Sequence, residues 1–361
     1  MIRVRVLCMK NLRLVCAVGV VALAIVGAQG LVGQTAAGGG VASGNADAGT
    51  ALPQLAVLDT DIGDDIDDAF ALALALRSPE LKILGVTTAF GNTELRARLV
   101  DRYLAAVGRS DIPVMQGVAT EARNVFTQAP YAIHSPVRKH GDGVEFLLSQ
   151  IRAHPGEITL IAIGPLTNVG EAIKRDPATF RKLKRVVIMG GSVYRGYGGT
   201  VAAPTPPQPE WNILCDPAGA RALLASGVPV FMMPLDSTQI YLETKEREEI
   251  FAHGSPLTDQ LTLLYHQWMA GNANHPATPT LFDPVAVTYA IRPDLCPMTA
   301  LRLEVDDKGF TRPVEGPANA QACLKSDENG FLELLLERVT SVANADDLIG
   351  IILNAPGTAN R

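Results

Sequence analysis

From residue 54 onward, apolar runs of strand length alternate with segments of helical pattern. "QLAVLD" (54–59) precedes the helical "DDAFALALALRS" (67–78), "LKILGVTTAF" (81–90) precedes "TELRARLVDRYLAAVG" (93–108), and "ITLIAIG" (158–164) precedes "PLTNVGEAIKRD" (165–176). "KRVVIMGG" (184–191) leads into a Gly/Pro-rich stretch, Ser192 to Pro209, then the helical "DPAGARALLASG" (216–227) and the run "VPVFMMPLD" (228–236). These runs are continuously apolar, as strands buried on both faces of a parallel sheet must be. The pattern predicts an α/β fold, an open and mostly parallel sheet flanked by helices with a Rossmann-like core. Residues 55–361 read as one domain without an internal repeat, its last stretch helical and peripheral.

The N-terminus breaks this pattern. Arg3, Arg5, Lys10 and Arg13 precede an uncharged apolar segment from Leu14 to Ala28 that ends in the small-residue "VGA". A basic region, about fifteen apolar residues and a small-residue site make a signal peptide over residues 1–28. The competing reading is an uncleaved anchor, with residues 14–33 as its membrane segment, although a spanning helix needs roughly 20 apolar residues. Either reading predicts export, to a periplasmic or extracellular site. Residues 29–54 are Gly/Ala-rich and aperiodic, a flexible linker. Of the cysteines beyond the signal segment, Cys296 and Cys323 are the expected disulfide in an oxidising compartment, leaving Cys215 over.

Charge removes one class of function. The formal net charge is -6 and the body of the chain has no basic stripe, so a nucleic-acid partner is not expected. The polar residues near the apolar runs are more telling. Asp59 and Asp61 follow the first, Gly91-Asn92 the second, Gly164 to Asn168 a later one, Gly190-Gly191 another and Asp236 yet another. All fall at carboxyl ends of strands, where open α/β sheets bind ligands.

The first of these turns is the most unusual. "DTDIGDDIDD" holds six aspartates in ten residues: Asp59, Asp61, Asp64, Asp65, Asp67 and Asp68. Carboxylates so close raise one another's pKa, so a positive charge must sit among them. Helix capping explains one or two acids. A calcium loop of the EF-hand kind fails, because its sixth position would be Asp64 where Gly is needed and its twelfth Phe70 where Glu is needed. Oxygen ligands without His or Cys favour a hard ion, calcium or magnesium. Asp59-Thr60-Asp61 also matches the Asp-x-Asp pair of aspartyl-phosphate phosphatases, but the surrounding acids would repel a phosphate.

"LDTDIGDDIDDAFAL" resembles the N-terminal signature of the inosine–uridine-preferring nucleoside hydrolases. "GVTTAFGN", "RSDIPVMQG", "HGDGVEFL", "ITLIAIGPLTN", "VVIMGGSV", "EWNILCDPAGARALLASGVPVFMMPLDST" and "FDPVAVTYA" follow in that family's order, so the likeness covers about residues 55–292. The resemblance implies a homo-oligomeric hydrolase that cleaves the N-glycosidic bond of small-molecule ribonucleosides with one bound Ca2+. It implies that Asp61 binds the ion and takes the proton of the attacking water. Asp68, the backbone carbonyl of Thr167 and Asp283 complete the ion's ligands. Asp67, Asn92, Asn168, Glu210 and Asn212 hold the ribose, with Met189 against the sugar face.

Two departures from the family pattern bear on chemistry. Three residues, not one, separate Gly63 from the paired aspartates, so Asp65 is an alternative metal ligand in the role given to Asp67 or Asp68. Phe282 stands where many members carry the His that protonates the leaving base, and a phenyl ring has no proton to give. His266 and His275 are the substitutes nearest in sequence. The loss also leaves open a ribose-binding protein without turnover on the same scaffold. The preferred nucleobase is not legible.

Overall fold

The computed structural model describes residues 52–200, 202–271 and 277–341. The signal segment, nearly all of the expected linker and His275 lie outside the described residues. The strands are β1 Gln54–Thr60, β2 Leu81–Thr88, β3 Val114–Gln116, β4 Thr159–Ala162, β5 Arg185–Met189, β6 Val230–Met233, β7 Met298–Val305, β8 Thr311–Val314 and β9 Ala320–Cys323. The helices are α1 Asp67–Leu76, α2 Thr93–Ala106, α3 Ala129–Ile133, α4 Gly143–Ala153, α5 Thr167–Arg175, α6 Pro177–Phe180, α7 Trp211–Cys215 and α8 Pro217–Ala225. They continue with α9 Leu235–Thr238, α10 Thr244–Ala252, α11 Pro256–Gly271, α12 Phe282–Ile291 and α13 Glu328–Val339. Gln54, expected to end the linker, already opens β1.

One nine-stranded sheet carries these elements in the order β3-β2-β1-β4-β5-β6-β9-β7-β8. The first seven in that order run parallel, and β7 and β8 are antiparallel additions at one end. Successive residues of each central strand feed different cores. Val57, Leu160, Val186 and Ile188 face the core with α4, α5 and α8, while Leu58, Ile161, Val187 and Met189 face the core with α1, α2 and α12. Both faces are covered, which is why the runs read as unbroken apolar stretches. Helix α1 is buried from Asp67 to Ala75 and α12 from Asp283 to Ile291, so both are apolar nearly all round and pack against each other.

The last described stretch is helical as expected, α13, though its Phe331, Leu335 and Val339 are buried in the core rather than peripheral. Ahead of it β7, β8 and β9, not expected from the sequence, extend the sheet, β9 by pairing parallel to β6. Cys296 and Cys323 form the expected disulfide, joining the segment ahead of β7 to the end of β9, and Cys215 is free. Among the described residues no helix is long and apolar enough to cross a membrane.

The strand order reverses at β1. The chain runs from β1 to β2 and β3 on one side, then crosses to β4, β5 and β6 on the other. The crevice beyond the carboxyl ends of β1 and β4 is the switch point at which open α/β sheets take ligands.

Candidate active site

A cavity opens at that switch point. It is lined by Asp61, Asp64, Asp65, Asp67, Asp68, Asn124, Ile163, Met189, Tyr197, Glu210, Trp211, Asn212, Phe282 and Asp283. Asp61 follows β1 and Ile163 follows β4. The two turns touch through Gly164, where a Cβ would come within 2.8 Å of Asp61 Oδ1 and 2.9 Å of Asp61 N. Only glycine admits so close an approach.

Two helix N-termini deliver the carboxylates. Asp67 and Asp68 open α1, and Asp283 is the second residue of α12. Asp67 Oδ2 accepts the Asp283 N–H at 3.1 Å, so α1 supplies a partner for one of the orphan donors of α12. Thr60 donates its hydroxyl proton to Asp68 Oδ1. The carboxylates of Asp67, Asp68 and Asp283 are buried and offer ligand atoms within 4.8 Å of one another, a set able to hold a metal ion. Burial, then repulsion from neighbouring carboxylates that include Asp61 and Asp65, pushes all three well above the ordinary carboxylate range. Burial likewise raises Asp61 to about 7, with the Arg96 charge opposing the shift. An oxygen-only set under this strain fits a hard divalent cation, which reverses the local electrostatics by its own charge.

The structure regroups the expected residues. Asp67, expected on the ribose, has its carboxylate among the three able to hold an ion. Asp65, the alternative ligand, is exposed, and its Oδ1 accepts the N–H of Ile66 at 2.7 Å. Asp61 lines the cavity but stands outside the trio. Thr167 opens α5 and is not among the residues lining the cavity.

The remaining expected contacts separate into two groups. Met189, Glu210 and Asn212 line the cavity. Asn212 gives its Nδ2 protons to the carbonyls of Ile163 (3.1 Å) and Met189 (3.2 Å), which leaves Oδ1 as an acceptor. Glu210 caps α7, accepting from Asn212 N at 2.9 Å and from Gly191 N at 2.9 Å, and burial raises it to about 7 against those bonds. Asn92 and Asn168 are not on the wall. Asn92 is exposed, and its Oδ1 caps α2 by accepting from Leu95 N at 3.0 Å. Asn168 lies behind the site: its Nδ2 donates to Asp59 Oδ1 at 2.6 Å, and its Oδ1 accepts from Val118 N at 2.7 Å. Asp236 likewise works as scaffold, accepting from Val193 N and Tyr194 N. Exposed His266 packs against Phe251 and Tyr265 on the outside of α11, away from the cavity.

The positive charge required among the aspartates is Arg96. It is 2% exposed and grips the acidic loop from beneath, donating to Asp64 Oδ2 at 2.9 Å, to Ile62 O at 3.0 Å and to Asp61 O. Its one signal in the sequence is position, for it falls on the apolar stripe of α2 with Thr93, Ala97, Val100 and Leu104. Above the loop, Phe126 fills the space a Cβ of Gly63 would need, and the φ of +128° at Gly63 disfavours any other residue there. Thr127 and Gln128 clamp the carbonyls of Asp64 and Asp65. Removing one partner of a buried ion pair costs about 3–5 kcal/mol. Arg96→Met is expected to lose stability of that order in urea unfolding, and an unchanged midpoint would show that the loop does not depend on it.

Comparison with known proteins agrees with the site. The sequence profile of a family described as inosine-uridine preferring nucleoside hydrolase matches residues 56–333. The chain is 32% identical to a pyrimidine-specific ribonucleoside hydrolase, RihA, of Citrobacter koseri, over 81% of this chain and all of that one. It is 31% identical to uridine nucleosidase 1 of Arabidopsis thaliana, over 66% of this chain and 74% of the relative. Its fold matches a solved plant nucleoside hydrolase with a TM-score of 0.70 at 26% identity, covering 80% of this chain and all of that structure.

Proposed function

This chain belongs to the inosine-uridine preferring nucleoside hydrolase family and is an N-glycosyl hydrolase of ribonucleosides; from that premise we propose that it works with a resident Ca2+, uses Asp61 as its base, and acts outside the cytoplasm. The observation that carries the reading is the buried trio Asp67, Asp68 and Asp283 beside Asp61, at the switch point of the sheet. Asp67, Asp68 and Asp283 would hold the ion. When bound, a divalent cation there supplies charge that polarises a water and anchors a vicinal diol.

The chain's own residues do the rest. Asp61, at the cavity wall beyond β1, receives the proton of the water that attacks C1′. Asn212 Oδ1 accepts from a ribose hydroxyl, and the Glu210 carboxylate, already shared by backbone donors, presents its remaining lone pairs beside it. Met189 packs against the sugar. Together they fix the ribose while positive charge develops on its ring. The basic-then-apolar N-terminus and the Cys296–Cys323 disulfide support export.

The test is ribose release from uridine and inosine by the Ca2+-loaded protein. Asp61→Asn is expected to lower kcat by about 10²–10⁴ on both, the usual worth of a positioned base. Phe282 favours one competing reading, a ribonucleoside-binding protein without turnover. Binding of uridine with no ribose released by the wild type would establish that reading instead.

A further inference from the structure

Breaking an N-glycosidic bond leaves its electron pair on the base, and an unactivated base departs faster when a proton reaches it as the bond breaks. Of the carboxylates of this cavity, Asp67, Asp68 and Asp283 form the trio able to hold an ion, Asp64 is paired with Arg96, and Glu210 is taken up by backbone donors. Phe282, next to Asp283, has no proton to offer. Tyr197 has one, and it lines the same cavity. Its ring stands edge-on to Phe282, with centroids 6.1 Å apart and planes at 83°. Its Oη accepts the backbone N–H of Trp211 at 2.9 Å. Among the described residues no acceptor takes the phenol's own proton.

The mount of this side chain is well braced. Gly196 N donates to Thr205 O at 3.0 Å, and Thr205 Oγ1 donates to Tyr197 O at 2.8 Å. Gln239 ties the segment from the other side, donating to Gly196 O at 3.1 Å and accepting from Gly198 N at 2.7 Å. Residues 192–200 and 202–209 therefore form a support that holds one phenol against Phe282. Braced side chains of this sort are what transition-state contacts require.

We propose that Tyr197 is the proton donor to the departing base, in the place that Phe282 cannot fill. The assignment rests on the ribonucleoside hydrolase reading. As the C1′–N bond breaks, its electron pair goes to the base and the phenol proton passes to the base. The attacking water adds its oxygen and one hydrogen to C1′ and gives its other proton to Asp61. Solvent then returns a proton to the phenolate and removes the one on Asp61. The Trp211 N–H already points at Oη, where negative charge develops, and stabilises it there.

The experiment compares kcat/KM of the Ca2+-loaded full chain and its Tyr197→Phe variant on uridine, inosine and p-nitrophenyl riboside. The nitrophenolate departs without a proton. Tyr197→Phe is expected to lose about 10²–10⁴ on the two nucleosides, the usual range for a general acid, and less than about tenfold on the nitrophenyl substrate. Equal losses on all three would assign Tyr197 to packing or sugar binding and overturn the proposal. Undiminished nucleoside cleavage by the variant would overturn it as well. A wild type that leaves all three substrates intact fails at the earlier step, refuting the hydrolase reading and this proposal with it.

Discussion

Uridine is expected to be cleaved about 10⁴ times more efficiently than 2′-deoxyuridine. The cavity floor is a concentration of buried polar groups: Asp67 and Asp68 are each 3% exposed, Asp283 and Asn212 4%, and Glu210 2%. They share the cavity with the apolar side chains of Ile163, Met189, Trp211 and Phe282. A ribose satisfies the polar groups with its vicinal hydroxyls. A deoxyribose leaves some of them unpaired in a site from which water has been displaced. Sites built to hydrogen-bond a hydroxyl reject an analogue lacking it by roughly 10⁴–10⁵, much more than an apolar pocket achieves for a missing methylene. Initial rates on the two substrates at matched concentration decide the matter. A ratio below about ten would mean that these carboxylates and Asn212 do not read the sugar.

The second large effect concerns pH and metal together. Metal-free protein is expected to be more stable at pH 5 than at pH 8, which is unusual for a protein rich in acids. Burial raises Asp61 from 3.8 to about 7 and Glu210 from 4.5 to about 7, and it raises Asp67, Asp68 and Asp283 well above the ordinary carboxylate range. A carboxyl with a folded pKa above its unfolded one binds its proton more tightly when folded. Its contribution is complete below the unfolded value, near pH 4, and is lost as pH rises through about 7. Each unit is worth about 1.4 kcal/mol, so the cluster as a whole places several kcal/mol at stake over that interval. Calcium reverses the trend, because an ion binds carboxylates only after their protons leave. At a free concentration about a thousandfold above Kd it adds about 4 kcal/mol. Thermal unfolding of dialysed protein at both pH values, with and without Ca2+, reads both effects. Greater stability of the metal-free form at pH 8, or a Tm indifferent to calcium at pH 8, would remove the ion from this site.

The parts of the molecule visible in its sequence are those with local causes. Strands β1, β2, β4, β5 and β6 announce themselves because both of their faces are buried. The acidic turn is legible because six like charges have no ordinary use on a small loop. Asp283, Met189, Glu210 and Asn212 come from remote segments, and family resemblance brought them to the site. What stayed hidden depends on pairing across the fold. Strand β9 is only "AQAC", and its place beside β6 comes from a partner far away in sequence rather than from its own apolarity. Much of β7 is open to solvent, so its pattern reads weakly. Arg96 differs from Arg98 and Arg102 on the same helix only by its place on the apolar stripe, and the packing shows that it is the buried one. Tyr197 lies in a Gly/Pro-rich segment without periodicity, where only the Gln239 and Thr205 hydrogen bonds reveal a fixed conformation. Asn92 and Asn168 went the other way, because capping and second-layer bracing use the same side chains as substrate contacts do.

The bond from Asp283 N to Asp67 Oδ2 spans 216 residues of chain, and this separation governs when the centre can come into being. A ribosome delivers β1 and α1 early and α12 far later. During that interval Asp67 and Asp68 are two repelling carboxylates without the third member of their group and without the α12 donor that steadies Asp67. Contacts so distant along the chain form late, after the intervening loop has been closed. A partly synthesised chain therefore has no assembled trap for a divalent cation, and truncations ending before residue 283 should emerge without one. On the proposed reading of an exported, calcium-dependent enzyme, the cation would be taken from the compartment of arrival, and the calcium level there, not the level at the site of synthesis, would set how much working protein results.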